Sequence, residues 1–228
     1  MTGIFDSGIG GENTLLEFRK LSPNTDICFF QDRKNSPYGT KTKAELTALV
    51  KEDIRILISH GADRVLMACC TASTLYDSLP DELRKVSVPV IPPTANEAAR
   101  VTKNGIIGVI ATTYTAKSSA FESELYARKN VKEVITRPAQ ELVTLTECGE
   151  ADGNIKKHTA TYLLSLLSPF AELKIDTLIL GCTHFHSLEK TVSGMLPGVR
   201  VISSAREGAR EMSRQTENKG KGETVYIV

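Results

Sequence analysis

Short apolar runs alternate with longer amphipathic segments along most of the chain. The run Gly3-Ile4-Phe5 leads into a glycine-rich turn and a helical segment, and residues 106–110 form a similar continuous apolar run. Residues 43–60 instead carry apolar positions close to the period of an α-helix. Strands that alternate with helices at such spacings predict an α/β protein with mostly parallel sheets.

This alternation predicts the order of the elements. The predicted strands cover residues 2–5, 26–30, 64–68, 88–91, 105–110, 131–135, 176–180, 199–202 and 224–228. The predicted helices cover residues 13–20, 43–60, 71–79, 116–129, 140–147, 155–167, 185–195 and 205–216. Because the pattern starts again after Pro92-Pro93, we expect two related lobes, each a mostly parallel sheet flanked by helices, with a boundary near these prolines.

Two thiols follow predicted strands at matching places in the two halves of the chain. Cys69 and Cys182 each come after an apolar run, and an aspartate, Asp63 or Asp176, stands six residues before each of them. One cysteine in such a place is more often a small buried residue. The matched pair favours a site, because ligands of α/β sheets bind at the carboxyl ends of strands. We expect one cleft with a sulfur on each wall.

Composition excludes several classes of partner. The chain has 228 residues, of which 41% are hydrophobic and 24% charged, and its formal net charge is +1. Neither a basic stripe for nucleic acid nor an apolar run long enough for a membrane span is present in the sequence. The N-terminus lacks the pattern of a signal peptide. We therefore expect a cytoplasmic protein that acts on a small molecule.

The sequence predicts no cofactor and no metal. The turn after the first strand lacks the third glycine of a dinucleotide-binding motif, since Asn13 stands there, and no GxxxxGK[ST] loop occurs. A metal site would have to draw on Cys182, His184 and His186, which alternate along the chain. We consider this less favoured, and we interpret His186 as a surface or helix-end residue.

Three kinds of chemistry suit a pair of cysteines across a cleft: a redox couple, a metal site and an acid/base pair. The five cysteines form no CxxC motif, which favours reduced thiols and argues against a thiol–disulfide enzyme. A thiolate and a thiol that face each other can remove a proton from one side of a carbon and return one to the other side. We favour this chemistry, with Asp6 and His184 as neighbours of the thiols.

Five ordered motifs stand out along the chain. They are Asp6-Ser7-Gly8-Ile9-Gly10-Gly11, Ser36-Pro37-Tyr38-Gly39, Ala68-Cys69-x-Thr71-Ala72-Ser73, Ile107-Gly108-Val109-Ile110-Ala111-Thr112-x-x-Thr115 and Gly181-Cys182-Thr183-His184. In this order they resemble the motifs of the glutamate racemase family within the aspartate/glutamate racemase superfamily. The resemblance implies a cofactor-independent enzyme that interconverts L- and D-glutamate and supplies D-glutamate for bacterial peptidoglycan. It also implies a homodimer and two pseudo-symmetric lobes, formed by residues 1–93 with 204–228 and by residues 94–203, with the active site between them.

The resemblance implies roles for individual residues. Cys69 and Cys182 would be the acid/base pair, Asp6 and His184 would polarise them, and Glu147 would be a further acid near the cleft. The residues implied to bind the substrate are Ser7, Pro37, Tyr38, Gly39, Cys70, Thr71, Thr112, Thr115 and Thr183.

Two positions depart from the family's usual pattern. Cys70 stands where the family usually has asparagine, and Ser203 stands where it usually has aspartate. These departures motivate a hypothesis from another class, a carboxylate-binding or regulatory homologue without turnover. A racemase of aspartate or of another amino acid is the alternative within the superfamily.

Overall fold

The computed structural model describes residues 1–149 and 156–227, and within these ranges the chain forms nine β-strands and eleven α-helices. The strands are β1 Thr2–Asp6, β2 Ile27–Gln31, β3 Arg64–Met67, β4 Ser87–Pro89, β5 Ile106–Ala111, β6 Glu133–Pro138, β7 Thr177–Gly181, β8 Arg200–Ser203 and β9 Thr224–Ile227. The helices are α1 Gly11–Leu21, α2 Lys43–Ser59, α3 Cys70–Ser73, α4 Asp81–Arg84, α5 Ile91–Val101, α6 Thr113–Ser118, α7 Ala120–Tyr126, α8 Gln140–Glu147, α9 Lys157–Glu172, α10 Glu189–Met195 and α11 Ser204–Gln215.

The strands form two parallel sheets, which confirms the predicted fold class. The first sheet has the order β4-β3-β1-β2-β9 and the second has the order β6-β5-β7-β8. Phe5 pairs with Met67 in the first sheet, and Ala111 pairs with Gly181 in the second. The residues that follow these four positions therefore lie together at the carboxyl ends of the central strands, where α/β proteins usually bind ligands.

The central strands of the first sheet are buried on both faces because their apolar runs are continuous. Phe5 and Cys28 face α2 and pack with Leu57 and its apolar neighbours. Ile4, on the opposite face of β1, packs with Phe18 of α1 and with α11. Successive side chains of a strand point to opposite faces, so a continuous apolar run buries both of them.

Helix α11 follows the second sheet in the chain but packs against the first sheet. Ala209 and Met212 of α11 belong to the apolar cluster of Leu15 and Phe18 on α1. Strand β9 then pairs with β2. The lobe limits of 93/94 and 203/204 stay a prediction. No helix within residues 1–149 and 156–227 is long and apolar enough to cross a membrane.

Several elements differ from their predicted extent. Pro92-Pro93 do not form a linker but occupy the first turn of α5, where proline is tolerated because those N–H groups have no partner inside the helix. The helix predicted over 116–129 is interrupted at Ser119, whose left-handed backbone separates α6 from α7. Helix α9 continues through Pro169 beyond its predicted end, and the predicted start at Ile155 lies outside the described residues.

Helix α2 carries one carboxylic acid on its buried face. Asp53 is buried, and its Oδ2 lies 2.7 Å from Oη of Tyr38, which also lies 2.6 Å from Oδ2 of Asp32. A phenol has a single proton, so one of these two carboxyl groups must supply a second proton. Burial raises the pKa of Asp53 to about 8, against the opposing hydrogen bond from Tyr38, and the charges of Asp32, Glu52 and Asp6 raise it further. Asp53 therefore holds the proton.

We expect Asp53→Asn to change how stability depends on pH. The folded pKa of Asp53, about 8, lies above its ordinary value of 3.8. Folding therefore binds a proton, and the free energy of unfolding falls as pH rises between these values, by about 1.4 kcal/mol per pH unit from this group. In urea unfolding, the free energy of unfolding of the Asn variant should rise relative to that of the wild type as pH rises from about 5 to about 7.5. A difference that stays constant over this range, or that matches the exposed control Asp77→Asn, would contradict the assignment.

Candidate active site

The end of the first sheet brings together Asp6, Ser7 and Cys69. Asp6 closes β1 and is fully buried, and its Oδ1 accepts a hydrogen bond of 3.0 Å from the N–H of Gly8. Oγ of Ser7 lies 3.5 Å from Sγ of Cys69, which follows β3. Parallel pairing of β1 with β3 places these groups side by side. The first thiol thus has a hydroxyl partner and a carboxyl group nearby.

The end of the second sheet brings together Cys182, His184 and Glu147. Residues 183–188 form a 3-10 helix, which turns the imidazole of His184 back towards the strand end. Nδ1 of His184 lies 3.6 Å from Sγ of Cys182, and Nε2 lies 3.1 Å from Oε1 of Glu147 at the end of α8. The second thiol is therefore the first member of a thiol–imidazole–carboxylate chain.

Hydrogen bonds connect the two strand ends. Oγ1 of Thr183 donates to Oδ2 of Asp6 at 3.0 Å, and Nδ2 of Asn13 donates to the carbonyl oxygen of Thr183 at 3.0 Å. On another wall, Oγ1 of Thr71 lies 3.0 Å from Oγ1 of Thr112. Residues that are distant in the chain therefore fix the two thiol-bearing segments relative to each other.

The two thiols line one pocket. The other predicted residues that line it are Ser7, Pro37, Tyr38, Gly39, Cys70, Thr71, Thr112, Thr183 and His184. Three predicted residues do not line it and contact the lining instead: Asp6 through Thr183, Glu147 through His184, and Thr115 through Thr71 and Thr112.

The pocket also contains three lining residues that were not predicted, Ser36, Gln140 and Val143. Ser36 is the first residue of the Ser36-Pro37-Tyr38-Gly39 motif but was not assigned to the site. The other two lie on α8, which was predicted only as a short helix or turn. Val143 is an apolar position on an amphipathic helix, so nothing in the sequence separates it from a core residue. Within the described residues, no three His, Cys, Asp or Glu side chains are grouped so that they could hold a metal ion.

The two departures from the family pattern have different surroundings. Cys70 lines the pocket and also packs with Val90 and Ile179 in an apolar cluster. Ser203 does not line the pocket, and its Oγ lies 2.8 Å from Nδ1 of His186. His186, predicted as a surface or helix-end residue, lies in the last turn of the 3-10 helix of residues 183–188, and 16% of its side chain is exposed.

Burial determines the protonation of the site. Desolvation, together with the charge of Asp6, raises the pKa of Cys69 to about 12, and desolvation raises the pKa of Cys182 well above its usual value. Desolvation also raises the pKa of Asp6 to about 6 against the opposing charge of His184. The hydrogen bond from His184 lowers the pKa of Glu147. Without a bound ligand both thiols therefore hold their protons at neutral pH, and a thiolate formed here is a strong base.

Comparison with known proteins identifies the family. A sequence model of the Asp/Glu/Hydantoin racemase family matches residues 21–212, a range that includes both pocket thiols. The chain belongs to this family. A glutamate racemase of Aquifex aeolicus is 36% identical to this chain over 223 residues. The match covers 96% of this chain and 85% of the relative.

Solved structures of the family have the same fold. The glutamate racemase isoform RacE1 from Bacillus anthracis superimposes with a TM-score of 0.88 at 30% identity, covering 99% of this racemase-family chain and 86% of the other. The glutamate racemase from Francisella tularensis, in complex with D-glutamate, has a TM-score of 0.85 at 27% identity with the same two coverages. The likeness covers both sheets and the pocket between them.

We expect Gly10→Ala to disturb the site without a backbone penalty. Gly10 has φ of −56°, which any residue adopts. An added Cβ would nevertheless lie 2.5 Å from Oγ1 of Thr183 and 2.8 Å from the backbone nitrogen of His184. Crowding of this kind costs about 1–3 kcal/mol, which urea unfolding would measure.

The matched control is Gly194→Ala on α10. A Cβ at Gly194 would have no neighbour within 4 Å. Because alanine is favoured over glycine inside a helix by about 1 kcal/mol, this variant should be as stable as the wild type or more stable. Equal stability of the two alanine variants would show that the turn at Gly10 has room for a side chain.

Proposed function

We propose that this chain is a cofactor-independent glutamate racemase that uses two cysteines as an acid/base pair. The observation that carries the proposal is that Cys69 and Cys182, at strand ends of different sheets, line the same pocket. The names of the relatives support glutamate as the substrate, and the Francisella tularensis structure holds D-glutamate. D-Glutamate made in this way would supply peptidoglycan synthesis.

The reaction needs one thiolate and one thiol on opposite faces of the substrate. The thiolate of one cysteine removes the Cα proton, and the electron pair delocalises into the adjacent carboxylate. The other cysteine donates its proton to the opposite face of Cα, which forms the enantiomer and leaves the protonation of the two sulfurs exchanged. The reverse reaction runs from that state. Desolvation assists the first step, because a sulfur with a raised pKa is a stronger base towards a weakly acidic C–H bond.

The neighbours of the thiols suit the transfer of protons at each sulfur. Nδ1 of His184 is close enough to exchange a proton with Cys182, and Glu147 holds the opposite ring nitrogen. On the other wall, Ser7 contacts Cys69, and Asp6 has a pKa of about 6, so it titrates near neutral pH. We propose that Asp6 and His184 adjust the protonation of the thiol on their own wall, and that Glu147 orients His184.

A panel of single enantiomers would test the substrate. We expect L- and D-glutamate each to lose optical rotation and to incorporate solvent deuterium at Cα, while L- and D-aspartate react much more slowly. Circular dichroism measures the first change and mass spectrometry the second. Reaction of aspartate but not of glutamate would show that the substrate is aspartate. Thermal stabilisation by glutamate without deuterium incorporation would identify a binding protein and refute the racemase.

We expect Cys69→Ser and Cys182→Ser each to abolish racemisation. A serine hydroxyl is too weak an acid to form the needed base near neutral pH, whereas both thiols line the pocket where such a base would act. Chiral chromatography of L-glutamate incubations measures the loss. Cys28→Ser is the matched control, because Cys28 is buried in the core of the first sheet and does not line the pocket. Full racemisation by either pocket variant would remove that cysteine from the mechanism.

A further inference from the structure

The pocket has to bind an acidic substrate without a basic side chain. Among the described residues that line it, none is lysine or arginine. A dicarboxylic amino acid carries two carboxylates, and each loses water when the molecule enters the pocket. Removal of a charge from water is costly unless hydrogen-bond donors replace the solvent. The recognition of the substrate therefore depends on which neutral donors of the pocket have no acceptor within the protein.

Most hydroxyl groups of the pocket are already engaged with one another. Thr183 donates to Asp6, and Ser7 contacts Cys69. Thr71 and Thr112 contact each other and both contact Thr115. The phenol of Tyr38 lies between two carboxyl groups, as described for α2.

Ser36 is an exception. Its Oγ is buried and has no hydrogen-bond partner in the described part of the chain. The hydroxyl lies close to Gly8, since a Cβ built on that glycine would be 3.3 Å from it. A buried hydroxyl without a partner is uncommon in folded proteins and calls for a ligand or a water molecule as its partner. Because Ser36 lines the pocket, a substrate can provide that partner.

Gln140 is the second exception, and its amide has a fixed orientation. Oε1 accepts a hydrogen bond of 3.3 Å from the backbone N–H of Thr113, which can only donate, so the amide oxygen and not the nitrogen faces Thr113. Oε1 also packs against Gly39 so closely that a Cβ on this glycine would overlap with it. The amide nitrogen carries two N–H donors, which donate to no protein acceptor among the described residues. Gln140 lines the pocket from the first turn of α8.

We propose that Gln140 and Ser36 are substrate-binding residues that donate hydrogen bonds to the carboxylates of the bound amino acid. Ser36 lies on the loop between β2 and α2, whereas Gln140 lies on α8 after β6. The ligand thus receives one hydrogen-bond donor from a loop that follows a strand of the first sheet and one from a helix that follows a strand of the second sheet. Gly39 is required beside Gln140, because any larger residue would displace the amide. This inference rests on the proposed racemase function for its substrate.

The test compares Gln140→Met and Ser36→Ala with the wild-type protein. Both variants remove a donor and keep the approximate shape of the side chain. A hydrogen bond to a charged group contributes about ten- to a hundredfold in affinity, so KM for glutamate should rise at least about tenfold in each. For a donor to the side-chain carboxylate, kcat should stay within about threefold, because this contact holds substrate and transition state alike. For a donor to the α-carboxylate, kcat should fall as well, because charge develops there in the transition state. A thermal-shift titration with glutamate should show the same weakening of binding.

A third variant and a control separate binding from general damage. Gln140→Glu keeps the oxygen that accepts from Thr113 but replaces the donors with a negative charge, so glutamate should bind more weakly than to Gln140→Met. Gln215→Met on the surface of α11 should change nothing, because the amide of Gln215 lies outside the pocket and donates its hydrogen bond to Glu211. Glutamine and glutamate, compared as ligands of Gln140→Met, show which carboxylate is held: a loss confined to glutamate indicates the side-chain carboxylate, and an equal loss indicates the α-carboxylate.

The outcomes distinguish this inference from the proposed function. Unchanged KM and unchanged glutamate affinity in Gln140→Met and Ser36→Ala, with an active wild type, would overturn the inference alone. A wild-type protein that binds glutamate but does not racemise it would refute the proposed function. The comparison of binding affinities would still test whether Gln140 and Ser36 bind the ligand. A wild type that neither binds nor converts glutamate would overturn both.

Discussion

The removal of water from two thiols is the constraint on which the site depends. Cys69 and Cys182 each expose only 6% of their surface, and this desolvation is the main cause of their raised pKa values. The same desolvation gives Asp6 a pKa near neutrality. A pocket open to water would leave all three groups near their ordinary values and the thiolate a weaker base. The close approach of Gly10 and Gly11 to Thr183 and Asp6 helps to keep water out.

Polar contacts hold the thiol-bearing segments at the pocket. The bonds from Thr183 to Asp6 and from Asn13 to the Thr183 carbonyl connect the ends of β1 and β7. Asp6 and Thr183 are both buried, so breaking the bond between them would leave polar groups without a partner, at a cost of about 1–3 kcal/mol.

The sequence was informative where one chemical pattern determined one structure. Continuous apolar runs identified the strands, and two cysteines after such runs identified both walls of the pocket. The sequence was uninformative where the position of a side chain depends on several segments that are distant along the chain. Gln140 is a common surface residue type at the start of a short helix, and only the fold places it against Gly39. His186 lies near a helix end, as predicted, but nothing local indicates its contacts with Glu17 and Ser203. Ser119 interrupts a helical pattern through its backbone alone.

The return of α11 and β9 to the first sheet has a consequence for synthesis on the ribosome. Residues 204–215 cover one face of that sheet, and residues 224–227 form its outer strand beside β2. Until the ribosome has made these residues, the nascent chain exposes Phe18 and Phe29 on an unfinished sheet with an unpaired edge. Residues 106–203 contain every strand of the second sheet and can pair earlier. The first lobe therefore begins to be synthesised first but completes its fold last.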